Sequence, residues 1–357
     1  NGKTSVKDTL RSVLSEAMET VASEASFNNE IGVPQTLLRL EQKHQAAVLE
    51  LGTNHPGELA PLIGMALPEV GVITSIGREH LEFFGDIEGV AREEGTLAEL
   101  LPAHGILIVN GDAPEIDSIV ARARCRVVKI GAGPKNDCRV EALSTDESGT
   151  RFRLTTPDPA WSGEWNISLL GRHQAVNAAL AIWVGRTLEI GRAEVQRGLS
   201  KCRPAKMRMQ IERIGGAVVL NDAYNANADS MRAALQTLAE FPANGRRIAI
   251  LGDMAELGET ASGAHREIGT LAGALGIDHV LAVGRQSIWT ADCARAAGAG
   301  DAAAFVDFNT ALQAITRLVQ PEDVVLVKAS RSSKLERVVD ALRKAMAGFV
   351  LGTALAA

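Results

Sequence analysis

The sequence has no closely paired cysteines, no surplus of basic residues and no apolar run long enough to cross a bilayer. Each absence removes a class of function. The four cysteines, Cys125, Cys138, Cys202 and Cys293, are scattered without a C-x-x-C spacing, so neither a zinc site nor a disulfide framework is indicated. Buried free thiols in a reducing compartment are the simpler account, which makes a cytoplasmic protein the expectation. A net charge of −6 offers no basic face, so no nucleic acid and no membrane insertion are expected among its partners. An anionic small substrate stays open, because a few local cations are enough to hold one.

What is present is ample apolar material. Of 357 residues 46% are hydrophobic, more than one ordinary domain needs, so two domains are expected. Short apolar runs at 46–51, 70–74, 106–109 and 126–130 are bounded by Gly, Pro or Asn, with helical segments between some of them. That alternation predicts an α/β domain with a mostly parallel sheet and covering helices. Val6, Leu10, Val13, Leu14, Met18 and Val21 recur at helical spacing and predict a helix near the start. Residues 138–170 alternate apolar and polar, with Gly149, Pro157, Pro159 and Gly163 as breakers, which predicts a small antiparallel section. Helices are expected at 173–188 and 192–199. Lys201-Cys202-Arg203-Pro204 marks a boundary, after which strands at 217–220, 247–251, 279–283, 303–306 and 323–328 alternate with helices at 230–240, 264–275, 311–318 and 334–346. The second domain is therefore expected to be Rossmann-like. The expected division is a central domain at 1–205, a C-terminal domain at 206–347 and a tail at 348–357.

Three segments carry chemistry. Gly2-Lys3-Thr4 fits the end of a phosphate loop, G-x-x-x-x-G-K-[ST], feeding a helix N-terminus that binds anions. The loop's first glycine and its strand would stand before Asn1, so a chain that opens inside its phosphate loop is expected. Alone, the tripeptide fits an ordinary helix start equally well. Glu50 closes the apolar run at 46–51, where a carboxylate beside a phosphate loop could hold Mg²⁺; a solvated strand end is the alternative. His80 follows the run at 70–74 in the same manner, although a lone histidine is more often structural than a ligand.

Taken together, further runs resemble the Mur ligase family, in the branch that adds D-alanyl-D-alanine. They are Phe27-Asn28-Asn29-Glu30-Ile31-Gly32-Val33-Pro34, Glu50-Leu51-Gly52-Thr53-Asn54-His55-Pro56-Gly57-Glu58 and Gly171-Arg172-His173-Gln174-Ala175-Val176-Asn177. Asp222-Ala223-Tyr224-Asn225-Ala226-Asn227, Leu251-Gly252-Asp253-Met254-Ala255-Glu256-Leu257-Gly258 and Val327-Lys328-Ala329-Ser330-Arg331 complete the set, in family order. The resemblance implies a three-domain enzyme of which the UDP-binding first domain is absent here. It implies ATP and Mg²⁺ as cofactors, and UDP-N-acetylmuramoyl-tripeptide and D-alanyl-D-alanine as substrates, joined through an acyl phosphate by an enzyme expected to be a monomer.

The family's roles carry over residue by residue. Gly2, Lys3 and Thr4 match the phosphate loop, with Lys3 on the β and γ phosphates and Thr4 on Mg²⁺. Glu50 matches a ligand of the first ion and His80 a ligand of a second. Asn177 matches the residue that reads adenine; Arg208, Asp222, Tyr224 and Asn225 match further nucleotide contacts. Lys328, Ser330 and Arg331 match a dipeptide or carboxylate pocket, and Asn28 and Asn29 a substrate loop. Gln174, Asn221, Ala228 and Ala329 are modest departures, where the family has Asn, Asp, Pro and Gly. The large one is Ala91-Arg92-Glu93-Glu94-Gly95-Thr96, where the family reads A-x-x-K-x-E with a carbamylated lysine. Glu94 takes that lysine's place and is expected to serve the second ion directly. Another Mur-type amino-acid ligase and a non-catalytic ATP-binding relic are the rivals; the D-N-P-R run of the diaminopimelate-adding type is not found.

Overall fold

The computed structural model describes residues 1–78 and 80–347, which divide into two compact units, Asn1–Ala205 and a second beginning at Lys206. Glu79 and the expected tail at 348–357 lie outside the described residues.

The first unit holds a parallel pair, β1 (Thr20–Ala22) and β2 (Ala46–Val48). Beside it is a six-stranded sheet, in the order β3 (Val70–Ile73), β4 (Ile106–Asn110), β5 (Arg126–Gly131), β6 (Cys138–Asp146), β7 (Gly149–Thr155) and β8 (Gly163–Ile167). Strands β3 to β6 pair in parallel; β6–β7 and β7–β8 pair antiparallel, as the change of pattern at Cys138 predicts. The two halves read differently because they are covered differently. In β4, Leu107, Ile108 and Val109 are all fully buried, since both sheet faces are packed. In β7, Phe152 and Leu154 point into the core while Arg151, Arg153 and Thr155 face water.

The helix Lys3–Leu14 is the element that positions the site. The apolar spacing predicts a helix running on through Met18 and Val21, but the helix stops at Leu14 and Val21 belongs to β1. Both extra residues pack inward after a turn closed by Met18 N–H on the Leu14 carbonyl, so burial continued while the helix did not. This helix packs against Arg172–Thr187 and Arg192–Lys201. The former is buried on nearly all sides, through Ala175, Ala178, Ala179, Ala181 and Ile182, and small side chains permit that close approach. Gly198 does the same for the latter: a Cβ there would lie 2.5 Å from the Cα of Val13. An apolar groove of about 440 Å³, bordered by residues of β2, β3 and this helix, includes Lys3, Glu50 and Glu94 in its lining.

The second unit is built on one sheet, in the order β13 (Asp301–Phe305), β12 (His279–Val283), β11 (Arg247–Gly252), β14 (Val324–Lys328), β10 (Ala217–Asp222) and β9 (Gln210–Ile214). All neighbours are parallel except β9 and β10. That is the expected Rossmann-like α/β arrangement, with two additions. Strand β9 was not expected, because an edge strand reading Gln-Ile-Glu-Arg-Ile is only half buried and shows no apolar run. The helix Ser287–Ala296 was not expected either, since its buried face is made of Ser287, Thr290, Ala291 and Ala294 rather than large apolar residues.

Candidate active site

The start of the helix Lys3–Leu14 gathers most of the first unit's predicted residues. Gly2 precedes it with φ +81°, a left-handed conformation that glycine adopts without strain. A Cβ at Gly2 would lie 3.2 Å from the Asn177 side-chain oxygen, so Asn177 stands against the loop. Asn177 is buried, and its amide donates to Gln174 Oε1 at 3.0 Å one turn earlier on the same helix. The Asn1 carbonyl accepts from Thr74 Oγ1 at 2.6 Å and Ser75 Oγ at 3.0 Å, which ties the loop to the end of β3.

Glu50 lies two residues beyond β2 and is only 5% exposed. Its Oε1 accepts from Thr4 Oγ1 at 3.2 Å and from Asn28 Nδ2 at 3.0 Å. Its Oε2 is buried and has no hydrogen-bond partner among the described residues. A buried carboxylate oxygen left unsatisfied costs about 1–3 kcal/mol or more, and so calls for a function. A hard cation suits it: two oxygen donors, the Thr4 hydroxyl and Glu50 Oε2, lie at a helix N-terminus that also favours phosphate. Among the described residues no three His, Cys, Asp or Glu side chains gather into a metal cluster. An ion there would complete its shell with phosphate and water oxygens, the usual habit of Mg²⁺.

Glu94 ends the helix Ile87–Glu94 and its Oε1 lies 3.0 Å from Lys3 Nζ. The two residues, 91 apart in sequence, are thus ion-paired at the start of the helix Lys3–Leu14. Its neighbour Glu93 accepts from the backbone N–H groups of Gly57, at 2.8 Å, and Leu59, at 2.9 Å. That clamps the helix carrying Glu94 to the loop after Glu50. Within the loop, Glu58 accepts from the N–H groups of Asn54 and His55 at 2.8 and 3.2 Å. The Asn54 amide, with the His55 side chain and N–H assisting, holds the Glu58 carboxyl below the usual glutamate range. His80 has φ +53° and leads into the helix Leu81–Phe84, whose Phe83 ring lies 4.4 Å from that of His55. Asn29 turns to its own backbone: Oδ1 accepts from Ile31 and Gly32 N–H at 3.3 and 3.0 Å, capping the helix Gly32–Leu37.

In the second unit the predicted residues form two groups. Asp222 ends β10 directly opposite Lys328, which ends β14. The buried Lys328 ammonium donates to Asp222 Oδ2 at 2.6 Å and to the Asn225 carbonyl at 2.9 Å. Asp222 Oδ1 accepts from the Met209 N–H at 3.0 Å. The Arg208 guanidinium lies 4.3 Å from the centre of the Tyr224 ring, a cation–π contact. Lys328 thus stands with the Asp222–Asn225 loop rather than with Ser330 and Arg331, beside which the sequence motif places it. Ser330 is buried and donates its N–H to the Asp253 carbonyl at 3.0 Å, while Arg331 is exposed and paired to Glu336 at 2.9 Å.

Sequence reasoning passed over Lys7, Ser23 and Glu93. Lys7 sits four residues after Lys3, inside the stripe of Val6, Leu10 and Leu14, and a lysine in a buried stripe is a signal in itself.

Comparison with known proteins bears on the whole chain. The model of the Mur ligase middle domain matches residues 1–185, and that of the Mur ligase glutamate ligase domain matches residues 207–331. The chain is 36% identical over 354 residues to the UDP-N-acetylmuramoyl-tripeptide–D-alanyl-D-alanine ligase of Escherichia coli (strain K12), covering 96% of this chain and 75% of that protein. It is 33% identical over 341 residues to the protein of the same name from Bacillus subtilis (strain 168), covering 95% and 73%. Among solved structures, MurF from Acinetobacter baumannii superposes with a TM-score of 0.88 at 29% identity, covering 96% of this chain and 75% of that one. The Thermotoga maritima MurF complex with ADP has the same fold, with a TM-score of 0.86 at 24% identity, covering 98% and 78%.

Proposed function

The chain belongs to the Mur ligase family, and we propose that it joins D-alanyl-D-alanine to UDP-N-acetylmuramoyl-tripeptide at the expense of ATP, in peptidoglycan precursor synthesis. A carboxylate is a poor electrophile. Transfer of the γ-phosphoryl group of ATP to the tripeptide's terminal carboxylate gives ADP and an acyl phosphate. The dipeptide amine then attacks the acyl carbon, the amide bond forms and inorganic phosphate departs.

The residue roles follow from what each group offers. Lys3 exchanges Glu94 for phosphate oxygens and neutralises charge on the transferring group. The N–H groups at the helix start and the left-handed Gly2 hold the phosphates. Thr4 and Glu50 hold the cation beside them. Mg²⁺ held there would supply positive charge that offsets the repulsion of the two anions that must react. Glu94 and His80 serve a second cation, Glu94 with a permanent carboxylate where the family uses a carbamylated lysine. Asn177 reads adenine next to the loop. Arg208 and Tyr224 are further nucleotide contacts, beside a loop that Lys328 anchors through Asp222 and Asn225. We assign Ser330 and Arg331 to a dipeptide or carboxylate pocket, and Asn28 and Asn29 to the shaping of a substrate loop. We assign residues 1–205 to ATP binding and 206–347 to the C-terminal domain, and propose a cytoplasmic monomer; no helix among the described residues is long and apolar enough to cross a membrane.

What carries this assignment is Glu50, a buried carboxylate with one oxygen on Thr4 and the other without a partner. The test is phosphate release from ATP with UDP-N-acetylmuramoyl-tripeptide and D-alanyl-D-alanine. Release that requires both substrates is expected; ATP binding without release would instead mark a relic. Glu94 has its own signature: turnover indifferent to added bicarbonate, and Glu94→Gln nearly inactive at ordinary Mg²⁺. Wild-type activity in Glu94→Gln would remove its metal role.

A further inference from the structure

A lysine is rarely found fully buried, and one that is must have every ammonium proton engaged. Lys7 is 4% exposed. Its three partners are the Ser23 carbonyl at 3.0 Å, the Ala25 carbonyl at 2.8 Å and Asp8 Oδ1 at 2.7 Å. None of these is a substrate-facing group. An aliphatic side chain would fill the same apolar groove, so the charge needs another reason.

The two carbonyls belong to a turn that the backbone does not favour. Ala25 has φ +45°, a left-handed conformation that costs an alanine about 1–2 kcal/mol and persists only where its surroundings impose it. That turn reaches Glu50 twice. Ser23 Oγ accepts from the Glu50 N–H at 3.2 Å. Three residues past Ala25, Asn28 donates to Glu50 Oε1 at 3.0 Å, and the Asn28 carbonyl accepts from the Gly52 N–H at 2.9 Å. The fit is close, since a Cβ at Gly52 would come within 2.4 Å of Asn28 Nδ2. One ammonium therefore holds a strained turn, and that turn fixes Glu50 at its backbone and at one carboxylate oxygen. The other oxygen is left buried and without a hydrogen-bond partner among the described residues.

We propose that Lys7 is a positioning residue for Glu50, acting through the turn at 23–28 to present the unpartnered carboxylate oxygen to the cation. This rests on the metal role given to Glu50 above. It assigns two lysines four residues apart on one helix to different tasks: Lys3 meets phosphate, and Lys7 sets the geometry of the acid beside it.

The test is the Mg²⁺ concentration that half-saturates binding of a non-hydrolysable ATP analogue, measured by calorimetry on the whole chain, with thermal melting alongside. Groups that orient a metal ligand typically change metal affinity by about 10–100-fold. Lys7→Met is expected to raise the half-saturating Mg²⁺ by about 10-fold at a temperature where it is folded. Asn28→Ala should do likewise, and the double variant should be no worse than the stronger single one, because both act on one oxygen. Should Lys7→Met fail to fold, Lys7→Gln, which keeps donor N–H groups on a shorter arm, should show an intermediate shift. A folded Lys7 variant with an unchanged Mg²⁺ requirement, or effects that simply multiply in the double variant, would overturn the proposal. Glu50→Gln separates the two claims. If it leaves the Mg²⁺ requirement unchanged, the role of Glu50 fails; if it shifts the requirement and Lys7→Met does not, only the role of Lys7 fails.

Discussion

The two units each carry a helix start that could receive an anion, and they treat it in opposite ways. In the second unit, Gly284 leads from β12 into the helix Ser287–Ala296, and the Asp253 carboxylate lies against it. Asp253 accepts from the N–H groups of Arg285 and Gln286 at 2.8 and 3.1 Å, so an internal acid sits where a phosphate would. In the first unit the residue that caps the helix start at Lys3 is Gly2, which has no side chain to offer. Its lysine is paired across 91 residues to the partly exposed Glu94, and the nearby Glu50 keeps one buried oxygen without a partner. One helix start is closed by an internal acid on its N–H groups; the other is open at its glycine cap, with Glu50 beside it. Unpartnered buried atoms occur elsewhere too, Ser287 Oγ among them; what sets the first start apart is the pairing of Thr4 and Glu50 beside a glycine cap.

That contrast predicts which substitutions affect folding and which affect chemistry. The largest stability effect belongs to the closed side. Lys328→Met leaves the mostly buried Asp222 without its cation, and removing one partner of such a pair costs about 3–5 kcal/mol. Denaturant unfolding checks this, and replacing Asp222 by Leu in the same chain should restore part of the loss. On the open side, Lys3→Ala should lower turnover by about 10²–10³-fold, the loss expected for one preorganised electrostatic contact, with little change in melting temperature. Unchanged phosphate release would remove the phosphate-loop assignment. Gly198→Ala comes next: its methyl must push the backbone at Val13, and a loss of about 1–3 kcal/mol is expected by denaturant unfolding. Asp253→Ala uncaps two N–H groups and should cost about 1 kcal/mol, within the range for lost helix caps. The smallest effect is one of reactivity. Burial pushes the Cys138 thiol up to about 12 and raises that of Cys202 as well. Cys125 and Cys293, which are less buried, should therefore label first with a thiol reagent in the folded protein.

Much of this is legible in the sequence. The change at Cys138 from continuous apolar runs to alternation marks the step from parallel to antiparallel pairing, because burial on two faces and on one face write different patterns. Gly2, Lys3, Thr4 and Glu50 were each visible as motif residues. The rest was hidden for identifiable reasons. Apolar spacing through Met18 and Val21 reports burial, and burial outlasted the helix. Strand β9 and the helix Ser287–Ala296 lack large apolar residues. The partnership of Lys3 with Glu94, and of Lys328 with Asp222 across 106 residues, is decided by tertiary register that no local window contains. Lys7 was in plain view inside an apolar stripe, but its partners are carbonyls, which carry no side-chain signature.

Glu50→Gln puts the central claim to its most direct test. The substitution keeps the shape and the bonds from Thr4 and Asn28, but removes a buried charge whose second oxygen has no partner among the described residues. Melting temperature and phosphate release should therefore move independently: stability held or raised, because a neutral amide is cheaper to bury than an unpaired carboxylate, and turnover lowered by about 100-fold or more. A variant that is less stable yet turns over like the parent would show that Glu50 is a structural acid, and that the chemistry lies elsewhere.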